Sequence, residues 1–245
     1  MLEPRITDHA IWLVALLLYL YDAARVLGPR ELLLVEGAHG RLAPALGDNP
    51  FTSSARALAF GPLHLPHRGV FVVPWGRPWG DAATLTATLE AVGRLRASLG
   101  TLRWLAALGG ALLFVVGPAL TVVLGPDAAV LYTAAALYPT VAAAIGTVWW
   151  RRSRLGLTVG RSVVLGLEML VCPAFLPNLV RKVTGRHLIE TDAAQLLAAT
   201  ATAEDREESL ARLARRAEAV LDDPAADATT RTGLRSYLTT LRAAR

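Results

Sequence analysis

Cysteine is almost absent: the single Cys172 excludes an intramolecular disulfide and leaves thiol redox chemistry without a second thiol. Lysine is as scarce, since Lys182 is the one basic residue of 25 that is not arginine. Charged residues make up only 18 % of the chain against 53 % hydrophobic, where soluble domains approach a quarter charged. With a mean hydropathy of +0.41, the apolar surplus of these 245 residues is expected to lie in lipid. Catalytic and nucleotide-binding signatures are also missing. There is no G-x-x-x-x-G-K-S/T and no G-x-G-x-x-G, and Ser53, Ser54, Thr200 and Thr202 stand near no G-x-S-x-G elbow, so P-loop and serine-hydrolase chemistry have no support. His64 and His67 are spaced H-x-x-H, but Pro62 and Pro66 forbid the helix that would align them. Two ligands do not make a zinc site, and no metal or cofactor is expected.

What is present is arginine, unevenly placed. Residues 1–189 hold 17 basic and 10 acidic side chains, and residues 190–245 hold 8 and 10. Basic residues beside apolar runs, followed by a near-neutral tail, fit the cytoplasmic face of a membrane better than a nucleic-acid channel, so no nucleic-acid partner is expected.

Three uncharged or nearly uncharged runs are long enough to cross a bilayer. Ala10–Leu27, 18 residues or roughly 27 Å of helix against a hydrocarbon core of about 30 Å, reads as an uncleaved anchor: no A-x-A-like site follows it, and one Arg is set against Glu3 and Asp8 before it. Trp104–Leu124 and Ala128–Trp150 are parted by Gly125, Pro126 and Asp127, which makes them a helical hairpin. Eight arginines lie between Leu27 and Trp104, and Arg151, Arg152 and Arg154 follow Trp150, whereas the Gly125 turn has none. The positive-inside rule therefore puts 28–103 and 151–245 in the cytoplasm and the N-terminus outside. Trp104, Trp149 and Trp150 fall where an aromatic belt belongs. A fourth stretch, Ser162–Val180, contains Glu168, Pro173 and Pro177 and is basic at both ends. An interfacial or re-entrant segment kinked by its prolines accounts for this better than a span.

Outside these runs, Glu31–Glu36 and Val70–Pro74 read as short strands bounded by Gly and Pro, with turns at Asp48–Phe51, Gly61–Pro62 and Pro66. So small an insert must lean on the membrane or on the tail. Asp81 caps a helix to about Leu99. Amphipathic helices are expected over Glu204–Leu221 and Arg231–Arg242, forming an antiparallel hairpin across Asp222–Pro224.

The resulting fold class is an α-helical integral membrane protein of six segments: an N-terminal transmembrane helix (1–27), a cytoplasmic β-containing insert (28–80), a connecting helix (81–103), a transmembrane hairpin (104–150), a basic interfacial or re-entrant segment (151–186) and a cytoplasmic helical tail (187–245). Its compartment is a bacterial-type inner membrane. Arg151, Arg152, Arg154, Arg161, Arg181, Lys182 and Arg186 are the expected contacts to anionic lipid. Glu168, Cys172 and Asn178 form a candidate polar site: a carboxylate at membrane depth is costly and needs either a partner or, on the plainer reading, an interfacial position facing water. Asp22 and Arg25 stand at i and i+3, a spacing that permits an ion pair. Small-x-x-x-small pairs at Ala106 and Gly110, Ala107 and Ala111, and Ala142 and Gly146 allow close helix packing or homo-oligomerisation, and Pro118 and Pro139 add kinks. Leu210, Leu213, Val220, Leu234, Leu238 and Leu241 are too many aliphatics to leave in water and mark a face that covers a protein partner, a second copy or the insert. The expected role is a membrane-anchored adaptor or small subunit, with a lipid-acting enzyme or a channel or transporter component as alternatives.

Overall fold

The computed structural model describes residues 9–28, 30–37, 41–44, 57–60, 65–187, 189–224 and 227–243. In chain order its elements are α1 (Ala10–Ala23), β1 (Ala24–Leu27), β2 (Glu31–Glu36), β3 (Leu42–Pro44), β4 (Ala57–Phe60), β5 (Val70–Pro74), α2 (Ala82–Ser98), α3 (Gly100–Ala111), a π turn (Leu112–Val116), α4 (Gly117–Leu124) and α5 (Pro126–Arg151). Then follow α6 (Val159–Val171), a 3₁₀ turn (Pro173–Asn178), α7 (Leu179–Thr184), α8 (Ala193–Thr200), α9 (Ala203–Leu221) and α10 (Ala228–Ala243). The chain is mostly helical with small antiparallel sheets. It divides into two compact units: Met1–Ala23, Leu63–Arg68 and Arg94–Thr184 form the first, and Ala24–Pro62, Gly69–Gly93 and Gly185–Arg245 the second.

In the first unit, α3, the π turn and α4 run as one helix of 25 residues, and α5 has 26. At about 1.5 Å per residue both exceed a hydrocarbon core of about 30 Å. Pro118 has no N–H to give and its ring crowds the carbonyl four residues back, so the helix widens into the π turn just ahead of it. The expected Gly125–Asp127 turn shrinks to Gly125 alone. Its φ of +85° suits only glycine, and the fixed φ of Pro126 starts α5 at once.

α1 is shorter than expected. The apolar run continues to Leu27, but Ala24–Leu27 leaves the helix to pair with β4, Ala24 opposite Phe60 and Leu27 opposite Ala57. The remaining 14 residues are about 21 Å long, so among the described residues two helices reach membrane length. The same break separates Asp22 from Arg25: the latter sits in a strand, and the i, i+3 pair does not form.

Between α6 and α7 the chain doubles back. Lys182 Nζ lies 2.7 Å from Glu168 Oε2, although a sequence separation of 14 would cover about 21 Å of straight helix. Thr158 caps α6 by accepting from Arg161 N, and Pro173 ends it, in keeping with the expected kink. The 3₁₀ turn then settles against α3, where a Cβ added at Gly109 would come within 2.6 Å of Leu176. The small residues at Gly109 and Gly110 are thus spent on packing inside the unit. Ala142 and Gly146 face outward, with nothing within 4 Å of a Cβ at Gly146.

The second unit is built on the antiparallel order β3-β2-β5, with Leu33 opposite Val72 and Leu34 opposite Pro44. Pro44 is admissible because β3 is an edge strand. Glu31–Glu36 is apolar without alternation because both faces are covered: Leu32, Leu33 and Leu34 are fully buried, and Leu33 and Val35 pack with Leu27, Ala59 and Val70. Asp81 caps α2 as expected, accepting from Thr84 N at 2.8 Å. The tail helices form close to their expected bounds, and Thr202 caps α9 by accepting from Asp205 N. The expected insert and tail fold together. Asp192, buried at the start of α8, accepts from Arg77 N at 3.0 Å, Ala194 N at 2.9 Å and the Tyr237 hydroxyl at 3.0 Å. Burial pushes the Asp192 carboxyl above its usual range, against the pull of these donors. Burial, with the Asp192 carboxylate second, drives the Tyr237 phenol upward. Gln195 clasps Gly80 by both ends of its amide, and Trp75 packs on Tyr237 with ring centroids 6.3 Å apart.

Candidate functional site

A polar ladder inside the first unit joins α1 to the fold-back segment. Its first rung is Tyr19. The fully buried Asn178 donates from Nδ2 to the Tyr19 carbonyl at 2.9 Å and accepts on Oδ1 from Arg181 at 2.9 Å. Arg181 also donates to the Tyr19 hydroxyl at 3.2 Å and lies over its ring at 5.7 Å. The second rung, one helical turn along α1, is Asp22. Lys182 Nζ stands 2.8 Å from Asp22 Oδ1 and 2.7 Å from Glu168 Oε2, with the Phe175 ring 4.5 Å away. Asp22 Oδ2 is buried without a hydrogen-bond partner. Positions 19 and 22 on α1 thus meet 178, the last residue of the 3₁₀ turn, and 181 and 182 on α7 that continues it, the i, i+3, i+4 spacing that places side chains on one helical face.

Side-chain exposure is 8 % at Lys182, 12 % at Asp22 and 33 % at Glu168. Charges so buried are tolerated only when paired, and here two carboxylates share the single ammonium of Lys182. The ladder fastens α1, α6 and α7 at one point. Both polar atoms of the Asn178 amide, and the Glu168 oxygen nearest Lys182, are engaged in doing so.

This overturns part of the sequence-based site. Arg181 and Lys182, expected to meet lipid headgroups, are 4 % and 7 % exposed and serve as internal cations, because burying Asp22 requires a counter-charge. Glu168 does not simply face water; it pairs with Lys182. Cys172 closes α6, giving its N–H to the Glu168 carbonyl at 2.9 Å, and lines an apolar groove. Arg154 and Arg161 are exposed, Arg152 is half-buried and lies over Trp149 at 4.9 Å, Arg186 is half-buried, and Arg151 donates to the Ser98 carbonyl at 3.0 Å. Of the six aliphatics assigned to a partner, Leu210, Leu213, Leu234, Leu238 and Leu241 are buried within the second unit, and Val220 is half-buried. They form core, not a docking face. His64, Ser53, Ser54 and the Asp48–Phe51 and Gly61–Pro62 turns lie outside the described residues.

Tyr19, and the internal pairing of Lys182 with Asp22 and Glu168, were hidden from sequence reasoning. One signal for Lys182 existed: an aspartate in an apolar run demands a cation, and the chain has a single lysine. Comparison with protein families, characterised proteins and solved structures finds no match to this chain.

Proposed function

We propose that this chain is a membrane-embedded subunit without catalytic function of its own: the long helices of the first unit cross the bilayer, the second unit is cytoplasmic, and arginines at the ends of the first unit's helices hold anionic lipid. One observation carries this reading, the contrast between the two surfaces. Among the described residues, exposed large apolar side chains crowd the first unit, from Leu17 and Tyr21 on α1 through Trp104, Val123 and Leu131 to Trp150 and Val171, whereas the second unit exposes only Val26 and Trp79. A core helix of a soluble protein would be mostly covered, but only about a third of the two long helices is, and apolar patches of that extent are not left in water. On this reading the segment from α6 to α7 enters and leaves the membrane on one side, and the ladder neutralises the charges it carries inward. The commitment of Asn178 and Glu168 to internal partners argues against the lipid-acting enzyme.

Of the seven cations expected to meet lipid, Arg154 and Arg161 are exposed and Arg152, close to them in sequence, is partly so. With each such residue worth about 1 kcal/mol at an anionic surface, the triple substitution Arg152→Gln, Arg154→Gln and Arg161→Gln is expected to weaken binding of fluorescent phosphatidylglycerol by about 10- to 100-fold at low salt. The effect should fade at high salt, and binding of phosphatidylcholine should be unchanged. Equal binding of the two lipids by the unaltered chain, insensitive to salt, would remove the lipid role.

A further inference from the structure

We infer that the cavity where β2 begins and β5 ends is a binding site for a phosphoryl group, carried by a small apolar body or by a lipid headgroup and held by the guanidinium groups of Arg30 and Arg77. The cavity encloses about 340 Å³, within the range of about 300–1,000 Å³ in which small-molecule sites fall. Val72, Pro74 and Ile189 give it an apolar wall, and Arg30, Arg77 and Glu31 supply its charge. All of this lining belongs to the second unit, so nothing here depends on where the first unit sits.

Both arginines are exposed to solvent, yet each is fixed at its base. Arg77 gives its backbone N–H to the buried Asp192 carboxylate at 3.0 Å. The Arg30 carbonyl accepts from Trp75 N at 3.0 Å, and its guanidinium donates to Thr230 Oγ1 at 2.9 Å. Neither is neutralised where it stands. Thr230 in turn donates to Asp227 Oδ2 at 3.1 Å, so Arg30 reaches that carboxylate only through a hydroxyl. Glu31, the acidic side chain that lines the cavity, accepts from Gly28 N at 2.9 Å and forms no ion pair with either arginine, and the Arg77 guanidinium has no partner among the described residues. A lone surface arginine is simply left to water. Two of them on one preformed concavity, with the adjacent carboxylate held by the backbone, concentrate an anion there instead. A carboxylate has two oxygens and is satisfied by one guanidinium fork, whereas the three terminal oxygens of a phosphoryl group engage two forks. The apolar wall then shelters the body that carries it.

The test is isothermal titration calorimetry on the full chain in a mild detergent at low salt, with Arg152→Gln, Arg154→Gln and Arg161→Gln in place so that the first unit's exposed arginines contribute nothing. The probes are phenyl phosphate, inorganic phosphate and phenol. Phenyl phosphate should bind once per chain, about tenfold or more tighter than inorganic phosphate, and phenol should not bind. Arg77→Gln should weaken phenyl phosphate by about tenfold or more while leaving the thermal midpoint unchanged, because that guanidinium holds nothing in the fold. Arg77→Lys should recover part of the loss, since an ammonium keeps the charge without the fork. Arg30→Gln with Arg77→Gln should abolish binding. Dihexanoyl-phosphatidic acid separates the two sources: binding tighter than phenyl phosphate and lost in the double variant assigns a lipid headgroup, and weaker binding assigns a soluble phosphate ester. No binding of phenyl phosphate, equal binding by the double variant, or phenol bound as tightly as its phosphate would overturn the site.

Discussion

Lys182→Met is expected to destabilise the first unit by about 3–5 kcal/mol, because removing one member of a buried ionic cluster leaves its counter-charges unpaired. Two carboxylates lose their shared cation. Asp22, 12 % exposed, is left in an apolar setting, while Glu168, one-third exposed, can still be reached by solvent, which favours the lower half of that range. For a chain of this size the midpoint of thermal unfolding should fall by roughly 10 °C. Methionine keeps the length and much of the volume, so the loss is electrostatic rather than a cavity. Adding Asp22→Asn and Glu168→Gln to Lys182→Met should recover most of the stability, since removing every charge also removes the desolvation penalty. A single variant within 1 kcal/mol of the unaltered chain, or a triple variant less stable than the single one, would show that the three side chains do not act as one cluster.

The second large effect is steric. A Cβ at Gly117 would lie 2.4 Å from Trp12 Cη2, and the ring cannot yield freely: its Nε1 donates to Thr121 Oγ1 at 2.8 Å, and that hydroxyl donates to the Gly117 carbonyl at 3.1 Å. Gly117→Ala should therefore cost about 2–4 kcal/mol, combining overpacking with a lost buried hydrogen bond, and should loosen α1. Gly146→Ala is the control, with nothing within 4 Å of the new methyl. There the change should be neutral or stabilising by up to about 1 kcal/mol. Trp12→Leu should cancel most of the Gly117→Ala penalty in the double variant, which a thermal unfolding cycle would read as strong non-additivity. Purely additive effects would mean that α1 is not seated on Gly117.

Much of this architecture was legible because its signals are local. The long apolar runs around Gly125, the prolines that break the chain after Cys172, the Asp81 cap and the amphipathic stripes of α9 and α10 each depend on a few adjacent residues. Failures arose where a distant partner decides. Nothing near Ala24 announces that it will pair with Phe60, and a short apolar run reads equally as helix or strand. The basic flank after Val180 looked like a headgroup contact because Arg181 and Lys182 follow an apolar stretch, yet their partners, Tyr19 and Asp22, sit at the other end of the chain. The leucines of the tail were correctly seen as needing cover, but periodicity does not say by what; the answer is their own unit. α8, short and alanine-rich, carried too weak a pattern to be anticipated, although Asp192 before it is a good cap.

On the membrane reading proposed above, the segment from α6 to α7 turns back within the bilayer, so that the residues flanking it share a side. It is tested most directly in a chain with Cys172→Ala and one new cysteine at a time, at Asp127, Arg154 or Glu190, all exposed, labelled in sealed vesicles of known orientation with a membrane-impermeant maleimide. Cysteines at 154 and 190 should react from the cytoplasmic side and the one at 127 only from the opposite side. Reaction at 190 from the same side as 127 would make the segment a true span and contradict it, as would equal labelling of all three positions from one side.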